Sequence, residues 1–390
     1  MNIAFLIERN VYFKTFGPLI DRALEMGHKV FCLHNYNQSR TGPKSYQFPY
    51  IGQTPKFQNG QVISFNFPTE DNFVERILAN GIEAVISLDF VDKYLAVREK
   101  IKKDKVFWLA LQNGFDTGLI SGKNLSAPDK FFIYSWEWLE WILNYLGRGN
   151  REELKDRVEP VGFWLCEKNN LSSPERIRNK WGIPLDKKVV LLLPFPFGSS
   201  QKTFWTKYVY GTRFFSKQND YNVCLAIRKF CDNNNATLLV KCRKKDPAKD
   251  YLIKMADKVI YDESFYPSTT MECFSIADIC FNFYSTAAIE SVAMGVSNVC
   301  IAPDTADWKD IQGVLWQTIL AKEKDFFDFQ GASYLKTISE IINNLPKQSF
   351  ADFSFNNENQ TQYLQKFANS NIETASLNII LEIEKLVKKE

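Results

Sequence analysis

The sequence predicts an α/β protein made of two doubly wound parallel-sheet domains that face a cleft. Three observations predict this fold class. Short apolar runs alternate with amphipathic helical segments, which is the pattern of βαβ units. The alternation stops at a polar, charged stretch over residues 147–157 and restarts at Lys188. The length of 390 residues exceeds what one hydrophobic core usually supports, and so favours two domains.

The first half of the chain reads as one βαβ series. Residues 2–7 form a continuous apolar run, as expected for a strand that is covered on both faces. Residues 36–60, rich in Gly, Pro, Ser, Gln and Asn, are predicted to form a long loop. Further strands are predicted at 29–33, 84–88, 106–111 and 131–134, and helices at 18–25, 70–80, 91–102 and 136–146. This order implies a parallel sheet with helices on both faces.

The second half repeats the pattern. A helix is predicted at 174–181, because Ser172 and Ser173 precede it and Gly182 follows it. Strands are predicted at 188–193, 236–240 and 258–261, helices at 223–233, 251–256 and 271–277, a strand–turn–helix–strand unit at 279–301, and a final helix at 374–389. The predicted domains are 1–157 and 158–365. We expect the segment 366–390 either to be a solvated terminus or to pack back across the domain junction.

Composition excludes several classes of protein. A formal net charge of +3 on 390 residues argues against a bulk nucleic-acid binder. The eight cysteines form no CxxC pair and the chain has only two histidines, so we predict reduced thiols, a cytoplasmic location, no metal site and no cofactor. The N-terminal MNIAFLI lacks a basic region and reads as a strand rather than a signal peptide. No apolar run approaches the roughly 20 residues of a membrane helix, although peripheral membrane association is allowed.

The segment 279–301 has hydroxyl side chains where its helix begins. A helix start offers unpaired N–H groups and the positive end of the helix dipole, and therefore suits a phosphate. Ser285, Thr286 and Ala287 are thus candidate phosphate-binding residues, and Glu290, one turn further on, is a candidate for binding a ribose. The alternative is that Ser285 or Thr286 only caps the helix, with Glu290 completing a capping box.

Two further segments of the second half are candidates for binding phosphate. Lys241 and Arg243 directly follow the predicted strand 236–240, where cations can neutralise phosphates. The alternative is a solvated basic loop. Gly198 and Ser199 lie in a turn after the predicted strand that ends at Leu193, and the backbone N–H groups of such a turn can approach a phosphate. This turn lacks the GxxxxGK pattern of a Walker loop.

Candidate catalytic and acceptor-side residues lie in the first half. A transferase that activates a hydroxyl nucleophile needs a general base within hydrogen-bond reach. Any one carboxylate is more often a helix cap or a surface acid, but four of them at or just after predicted strand ends indicate a catalytic role for at least one. These are Glu8, Asp89, Asp116 and Glu137, with Glu8 and Asp89 first. The candidate acceptor-side residues are Arg9, Asn10, Gln112 and Asn113, although 112–114 reads equally as a simple turn around Gly114.

At these residues the chain resembles the GT-B-fold glycosyltransferases. It is most similar to the capsule and teichoic-acid type transferases and to the non-hydrolysing UDP-N-acetylglucosamine 2-epimerases. The segment 284–290 resembles their small-residue and hydroxyl segment, and 158–162 resembles their V-x-x-x-G entry to the second domain. The segment 112–114 resembles a Q-H-G element, and 241–243 stands where many members have K-P-H-P. The resemblance implies two Rossmann-like domains, of which the second holds a nucleotide.

The chain departs from that family in its histidines, since it has none beyond His34. Asn113 and Arg243 stand where relatives often carry His. A step that uses His in those proteins must therefore use another group here. The epimerases use several acids and His in the cleft, so the missing His argues against an epimerase.

The predicted function is a metal-independent glycosyltransferase that moves a sugar from a nucleotide-sugar donor to an acceptor hydroxyl, in bacterial surface glycan synthesis. The second domain would hold the donor through Ser285, Thr286, Lys241 and Arg243. A carboxylate of the first domain would deprotonate the acceptor, a glycan or glycolipid. The alternatives are a sugar-nucleotide 2-epimerase, a polyol-phosphate transferase, and a non-catalytic scaffold that binds a carbohydrate or a partner enzyme.

Overall fold

A computed structural model describes most of the chain and divides it into two compact units. Unit 1 comprises Met1–Asn170, Phe265–Pro267 and Lys366–Glu390, and unit 2 comprises Leu171–Ser264 and Ser268–Gln365. The described residues are 1–35, 54–88, 94–112, 127–146, 151–167, 171–195, 216–243, 247–261, 264–283, 285–302, 304, 324–369 and 373–389. Within these ranges, no helix is long and apolar enough to cross a membrane.

The described part of unit 1 is centred on a seven-stranded parallel sheet. Its strands are β1 (Asn2–Ile7), β2 (Lys29–Asn35), β3 (Ile63–Phe67), β4 (Ala84–Leu88), β5 (Phe107–Leu111), β6 (Lys130–Ile133) and β7 (Val158–Pro160). Its helices before residue 170 are α1 (Tyr12–Glu25), α2 (Glu70–Ala79), α3 (Leu95–Lys102), α4 (Trp136–Leu146) and α5 (Arg151–Leu154). The strand order is β3-β2-β1-β4-β5-β6-β7, and all the pairings are parallel.

The described part of unit 2 is centred on a six-stranded parallel sheet in the order β10-β9-β8-β11-β12-β13. Its strands are β8 (Lys188–Leu192), β9 (Ala236–Lys241), β10 (Lys258–Ile260), β11 (Ile279–Asn282), β12 (Ser297–Ala302) and β13 (Ser333–Thr337). Its helices are α6 (Pro174–Trp181), α7 (Lys217–Asn233), α8 (Asp250–Met255), α9 (Thr269–Ile276), α10 (Ala287–Ala293), α11 (Lys324–Phe327), α12 (Ile338–Asn344) and α13 (Asn357–Ala368), which continues into unit 1. Two parallel sheets flanked by helices confirm the predicted fold class.

Local sequence explains where the elements begin and end. Residues 3–7 of β1 are at most 1% exposed, as its apolar run predicts for a central strand. Ser173 caps α6 by accepting a hydrogen bond from the Arg176 N–H, and Pro174 takes the first turn, where its missing N–H costs nothing. Gly182 ends this helix at φ 67°, a left-handed conformation that favours glycine.

Several described elements of the first unit differ from the sequence prediction. Helix α1 begins at Tyr12 rather than at residue 18, with Pro18 inside it. Proline usually breaks a helix interior, but α1 buries Phe13, Phe16 and Leu19, and this burial favours the longer helix. Strands β3 and β7 were not predicted, because both lie at the sheet edges, where the burial signal is weak. The one-turn helix α5, which buries no residue, was also not predicted.

Helix α1 also packs tightly against the tripeptide Phe265–Pro267 of unit 1. A Cβ atom added at Gly17 would overlap the Tyr266 ring, so glycine allows this close approach. The Tyr266 hydroxyl donates a hydrogen bond to the buried Asp21 carboxylate. The other Asp21 oxygen accepts from the N–H groups of Gln58 and Asn59 at 2.9 and 3.3 Å. Asp21 thereby joins three separate stretches of unit 1.

The last helix, α14 (Ala375–Lys388), belongs to unit 1 and contacts α1. Its first turn is held by Glu167, whose carboxylate oxygens accept from the Ser376 N–H and hydroxyl, each at 2.6 Å. Burial raises the pKa of Glu167 to about 7, and the hydrogen bonds from Ser376 and the nearby Arg22 only partly oppose this rise. Ionised Glu167 is therefore costly in the folded protein.

The raised pKa predicts a pH-dependent stability. Between about pH 4.5 and 7 the folded chain keeps a proton on Glu167 that the unfolded chain has lost, so the free energy of unfolding falls as pH rises through this range. The loss should be on the order of 3 kcal/mol. We expect Glu167→Gln to remove this component from urea unfolding curves recorded between pH 4 and 8. The exposed Glu373→Gln should keep it, and parallel profiles for wild type and Glu167→Gln would contradict the assignment.

Candidate functional site

In each unit the strand order reverses at one point of the sheet. In an open parallel sheet, loops at the carboxyl ends of the two strands beside such a point diverge and leave a crevice where ligands bind. The reversal lies between β1 and β4 in unit 1, and between β8 and β11 in unit 2. Glu8 directly follows β1, and the turn that contains Ser285 follows β11. The two leading candidate groups therefore lie at the position where this topology favours a site.

Glu8 is a buried carboxylate, 8% exposed, that is held by two side chains of neighbouring elements. The Tyr94 hydroxyl donates to its Oε1 at 2.9 Å, and Asn35 Nδ2 approaches the same oxygen at 3.4 Å. Asn35 Nδ2 also donates to the Tyr94 hydroxyl at 2.9 Å. This arrangement orients the carboxylate, as a general base requires.

Sequence reasoning missed Asn35 and Tyr94. Asn35 is the last residue of β2, and Tyr94 immediately precedes α3. The available signal was a polar residue at the end of the strand that pairs with β1. That signal required knowledge of the pairing, in which Ile7 lies opposite His34 and Glu8 therefore follows at the level of Asn35.

His34 lies close to this group but faces away from it, because successive side chains of a strand point to opposite faces. It is fully buried against Phe13 of α1, with the ring centroids 5.9 Å apart, and its Nε2 lies 3.2 Å from Thr54 Oγ1. Burial lowers the pKa of His34 to about 4, so the imidazole is neutral at neutral pH.

The other first-unit candidates lie in different surroundings. Arg9 is exposed and Asn10 is buried, both in the turn after Glu8. Gln112 is buried, and its Oε1 accepts from the Tyr134 N–H at 2.8 Å, which joins the ends of β5 and β6. Glu137 is exposed in the first turn of α4 and accepts from Ser135. It follows β6, three strands from β1 and so about 14 Å away at the usual strand spacing.

Five candidate residues lie outside the described residues. They are Asp89, Asn113, Asp116, Gly198 and Ser199. Their predicted roles stay predictions.

In unit 2 the strand register places Lys241 near the turn after β11. Leu192 pairs with both Val240 and Phe281, so the next residue of each strand lies at one level: Lys241, Leu193 and Asn282. Adjacent strands are about 4.8 Å apart, which puts the backbones of Lys241 and Asn282 about 10 Å apart across β8. The structure thus brings the candidate cation and the candidate hydroxyl turn to one edge.

A hydrogen-bonded turn follows Asn282. The Ser285 N–H donates to Asn282 Oδ1 at 3.3 Å, and Ser285 Oγ accepts from the Ala287 N–H at 3.2 Å. Thr286 precedes α10 without a side-chain capping bond, and no capping box is closed by Glu290, so that part of the alternative is wrong. The other part is supported, because the Ser285 hydroxyl binds the first N–H group of the helix. Ser285 and Thr286 are half-exposed, whereas Ala287 and Glu290 are buried.

A chain of buried amides supports this turn from below. Asn282 Nδ2 donates to Asn298 Oδ1 at 2.6 Å, and Asn298 Nδ2 donates to Ser333 Oγ at 2.7 Å. Ser333 Oγ in turn donates to the Phe327 carbonyl at 2.9 Å. The chain crosses β11, β12 and β13, and all three side chains are inaccessible to solvent. Sequence reasoning missed it, although an Asn inside each of two apolar strands was a visible signal.

The two cations after β9 differ in exposure. Lys241 is 7% exposed, and its Nζ donates to the Cys242 carbonyl at 2.7 Å, whereas Arg243 is exposed. Arg243 can therefore reach a ligand directly, while Lys241 contributes charge from beneath. Within the described ranges, no group of three or more His, Cys, Asp or Glu side chains could hold a metal ion.

The amide chain predicts strong coupling between Asn282 and Asn298. Asn282→Ala and Asn298→Ala should each lower the free energy of unfolding by about 2–3 kcal/mol, because each leaves a buried amide unpaired. The double variant should cost less than the sum of the two by about 1 kcal/mol or more in urea unfolding. Asn282→Ala combined with the exposed Gln218→Ala serves as the additive control. Additive losses for Asn282 and Asn298 would refute the coupling.

Comparisons with known proteins bear on the fold. No protein-family model and no curated protein sequence matches this chain. The wall teichoic acid polymerase TagF matches with a TM-score of 0.60 at 15% identity, covering 100% of this chain and 89% of that one. A putative UDP-N-acetylglucosamine 2-epimerase from Listeria monocytogenes matches with a TM-score of 0.53 at 10% identity, covering 100% and 97%.

A third match is MnaA of S. aureus in a co-structure with UDP, with a TM-score of 0.52 at 12% identity, covering 99% of this chain and 97% of that one. These likenesses extend over both units and agree with two parallel sheets flanked by helices. At such low identity they concern the fold alone. The chain has the GT-B fold of two Rossmann-like α/β domains, as its sequence resemblance predicted.

Proposed function

We propose that the protein is a glycosyltransferase that uses a nucleotide-sugar donor. One observation carries this proposal: each unit places candidate groups at the reversal point of its own sheet or directly beside it. Unit 1 has the carboxylate of Glu8 there, and unit 2 has the hydroxyls after β11 there, with the cations after β9 one strand away. The transfer of a group from a nucleotide to a hydroxyl needs two parts. One is a general base, and the other is a set of groups that bind the phosphates.

Unit 2 would bind the donor phosphates. Arg243 is exposed at the end of β9, and the half-exposed Ser285 and Thr286 lie two strands away at the same edge. Guanidinium and hydroxyl donors suit phosphate oxygens, and they would stabilise the charge that develops on the leaving nucleotide. The buried Lys241 adds positive charge beneath them, and Glu290 of α10 is the candidate partner for the ribose hydroxyls.

Unit 1 would supply the base. Glu8 would accept the proton of the acceptor hydroxyl as that oxygen attacks the anomeric carbon of the sugar and the nucleotide leaves. Tyr94 and Asn35 hold Oε1 and so limit rotation of the carboxylate. Arg9 and Asn10, in the turn after Glu8, are the candidate contacts to the acceptor, a glycan or glycolipid.

A polyol-phosphate transferase is the second candidate, and one observation favours it. The TagF structures, two of them soaked with CDPG, match with TM-scores of 0.58–0.60, against 0.52–0.53 for the UDP-bound MnaA and the Listeria epimerase. The same phosphate-binding edge and the same base would serve that reaction. The two candidates differ in the bond that breaks: the acceptor oxygen attacks the anomeric carbon of a sugar in the first, and the phosphorus of the polyol phosphate, with release of the nucleoside monophosphate, in the second. The likeness to the CDPG-soaked TagF also suggests a cytidine nucleotide for the second.

A nucleotide panel tests the donor site. We expect at least one of CMP, CDP, UDP and GDP to raise the melting temperature, because a ligand that binds only the folded state stabilises it. CDP or CMP would favour the polyol-phosphate reaction, and UDP or GDP the sugar transfer. Arg243→Ala should weaken nucleotide binding about tenfold, whereas Lys229→Ala, an exposed cation on α7, should not. A chain that responds to no nucleotide would overturn the proposal.

Glu8 and Glu137 can be separated by their amide variants. Glu8→Gln keeps the shape and the contact with Tyr94 but cannot accept a proton, so kcat should fall about 100- to 10,000-fold with KM little changed. Glu137→Gln, at an exposed carboxylate about 14 Å from β1, should leave kcat within about twofold. The measurement is release of nucleotide from a donor that carries the nucleotide bound in the panel. Full turnover by Glu8→Gln would remove Glu8 as the base.

A further inference from the structure

The tyrosine that contacts Glu8 is fixed by the core of unit 1. Tyr94 is 2% exposed, and its ring centroid lies 6.0 Å from that of Phe73 in α2 and 5.5 Å from that of Trp108 in β5. Trp108 is held in turn, because its Nε1 donates to Ser87 Oγ of β4 at 2.9 Å. Such close packing leaves a ring little freedom to move. The position of the Tyr94 oxygen is therefore set by core elements.

Asn35 decides in which direction the Tyr94 hydroxyl donates. A hydroxyl can rotate its hydrogen, and its oxygen can both donate and accept. Asn35 Nδ2 lies 2.9 Å from the Tyr94 oxygen and 3.4 Å from Glu8 Oε1. An amide oxygen at this place would face the carboxylate oxygen and be repelled, so the NH₂ group of Asn35 points here. The Tyr94 oxygen thus accepts from Asn35, and its own hydrogen points to Glu8 Oε1, 2.9 Å away.

The three side chains therefore form a chain of hydrogen bonds with one direction, which we name the Asn35–Tyr94–Glu8 relay. A donor that itself accepts a hydrogen bond is polarised and becomes a stronger donor. The relay ends on a carboxylate that is 8% exposed, where a charge-assisted bond is stronger than one between neutral groups. It stands at the carboxyl edge of the sheet, beside the reversal point between β1 and β4.

We propose that Asn35 is a positioning residue of the reaction and acts on Glu8 through the Tyr94 hydroxyl. The inference rests on the proposed function, in which Glu8 is the general base. It deepens that function, because Asn35 determines the direction of the hydrogen bond that the base receives without itself touching the acceptor. A base held by an oriented donor keeps one geometry towards the acceptor hydroxyl, and catalysis is sensitive to displacements of about 1 Å.

Removal of the Tyr94 hydroxyl tests the middle of the relay. Tyr94→Phe keeps the ring packing, and kcat for nucleotide release should fall about 10- to 100-fold with KM for the donor within about twofold. Nucleotide affinity should stay unchanged, because the proposed donor site lies in unit 2. The matched control is Tyr363→Phe, which removes an equally buried hydroxyl that donates to the Phe326 carbonyl at 2.9 Å in unit 2. This control should keep kcat within about twofold.

A double-mutant cycle tests whether Asn35 acts through Tyr94. Asn35→Ala should lower kcat about tenfold in the wild type, but less than about twofold when it is added to Tyr94→Phe. Asn35→Asp should lower kcat at least as far as Tyr94→Phe, because the new carboxylate accepts the hydroxyl hydrogen and so withdraws it from Glu8. Asn35 is only half-buried, so its variants remain informative if Tyr94→Phe fails to fold.

Three results would overturn the proposal. The first is full turnover by Tyr94→Phe or by Asn35→Asp. The second is an equal loss from Asn35→Ala in both backgrounds, which would mean that Asn35 does not act through Tyr94. The third is loss of nucleotide binding along with kcat, which would make the relay a general support of the fold. Failure of the proposed function is distinguishable, because it appears as full turnover by Glu8→Gln or as a wild type that binds no nucleotide, and the relay would then fail with it.

Discussion

Parallel strand pairing is the constraint on which the rest of each unit depends. Because the described strands of a unit all run the same way, their carboxyl ends share one edge and their amino ends share the other. Glu8, Asn35 and Tyr94 are far apart in sequence, yet the common edge brings them into hydrogen-bond contact. The same constraint places Asp129 and Arg157 at the opposite edge, at the amino ends of β6 and β7.

Buried polar groups give these sites their geometry. The amide chain from Asn282 to Ser333 costs desolvation that its hydrogen bonds must offset, and an apolar core of the same shape would avoid that cost. In exchange it presents an acceptor to the Ser285 N–H, which sets the turn after β11. Asp21 holds a loop and Glu167 holds a helix start in a similar way, and Asp129 holds the backbone at the start of β5. In this chain, the buried polar side chains named above hydrogen-bond to backbone groups and so hold the conformation of those segments.

The sequence predicted the α/β class and the central strands well, because a run such as 2–7 carries its own burial signal. Glu8 became a candidate because it follows such a run directly. Strand order could not be predicted, since apolar periodicity does not say which strand pairs with which. For that reason Asn35 and Tyr94 could not be predicted as hydrogen-bond partners of Glu8. Because of Pro18, the start of α1 was predicted too late in the chain. Tertiary burial of three apolar side chains outweighs the preference of proline against a helix interior. Asn282 and Asn298 were visible as polar residues in apolar runs, but their hydrogen bond across β11 and β12 could not be predicted without the strand pairing.

Neither unit is a continuous stretch of the chain, and this affects how the protein can be made. The chain passes between the units after Asn170, Ser264, Pro267 and Gln365. Helix α1 is synthesised well before its partners, since Tyr266 and α14 follow it by more than 200 residues. During synthesis, the apolar surface of α1 therefore stays exposed, or is held by a chaperone, until residues 375–388 have been made. A fragment that stops before residue 366 would retain that exposed surface permanently.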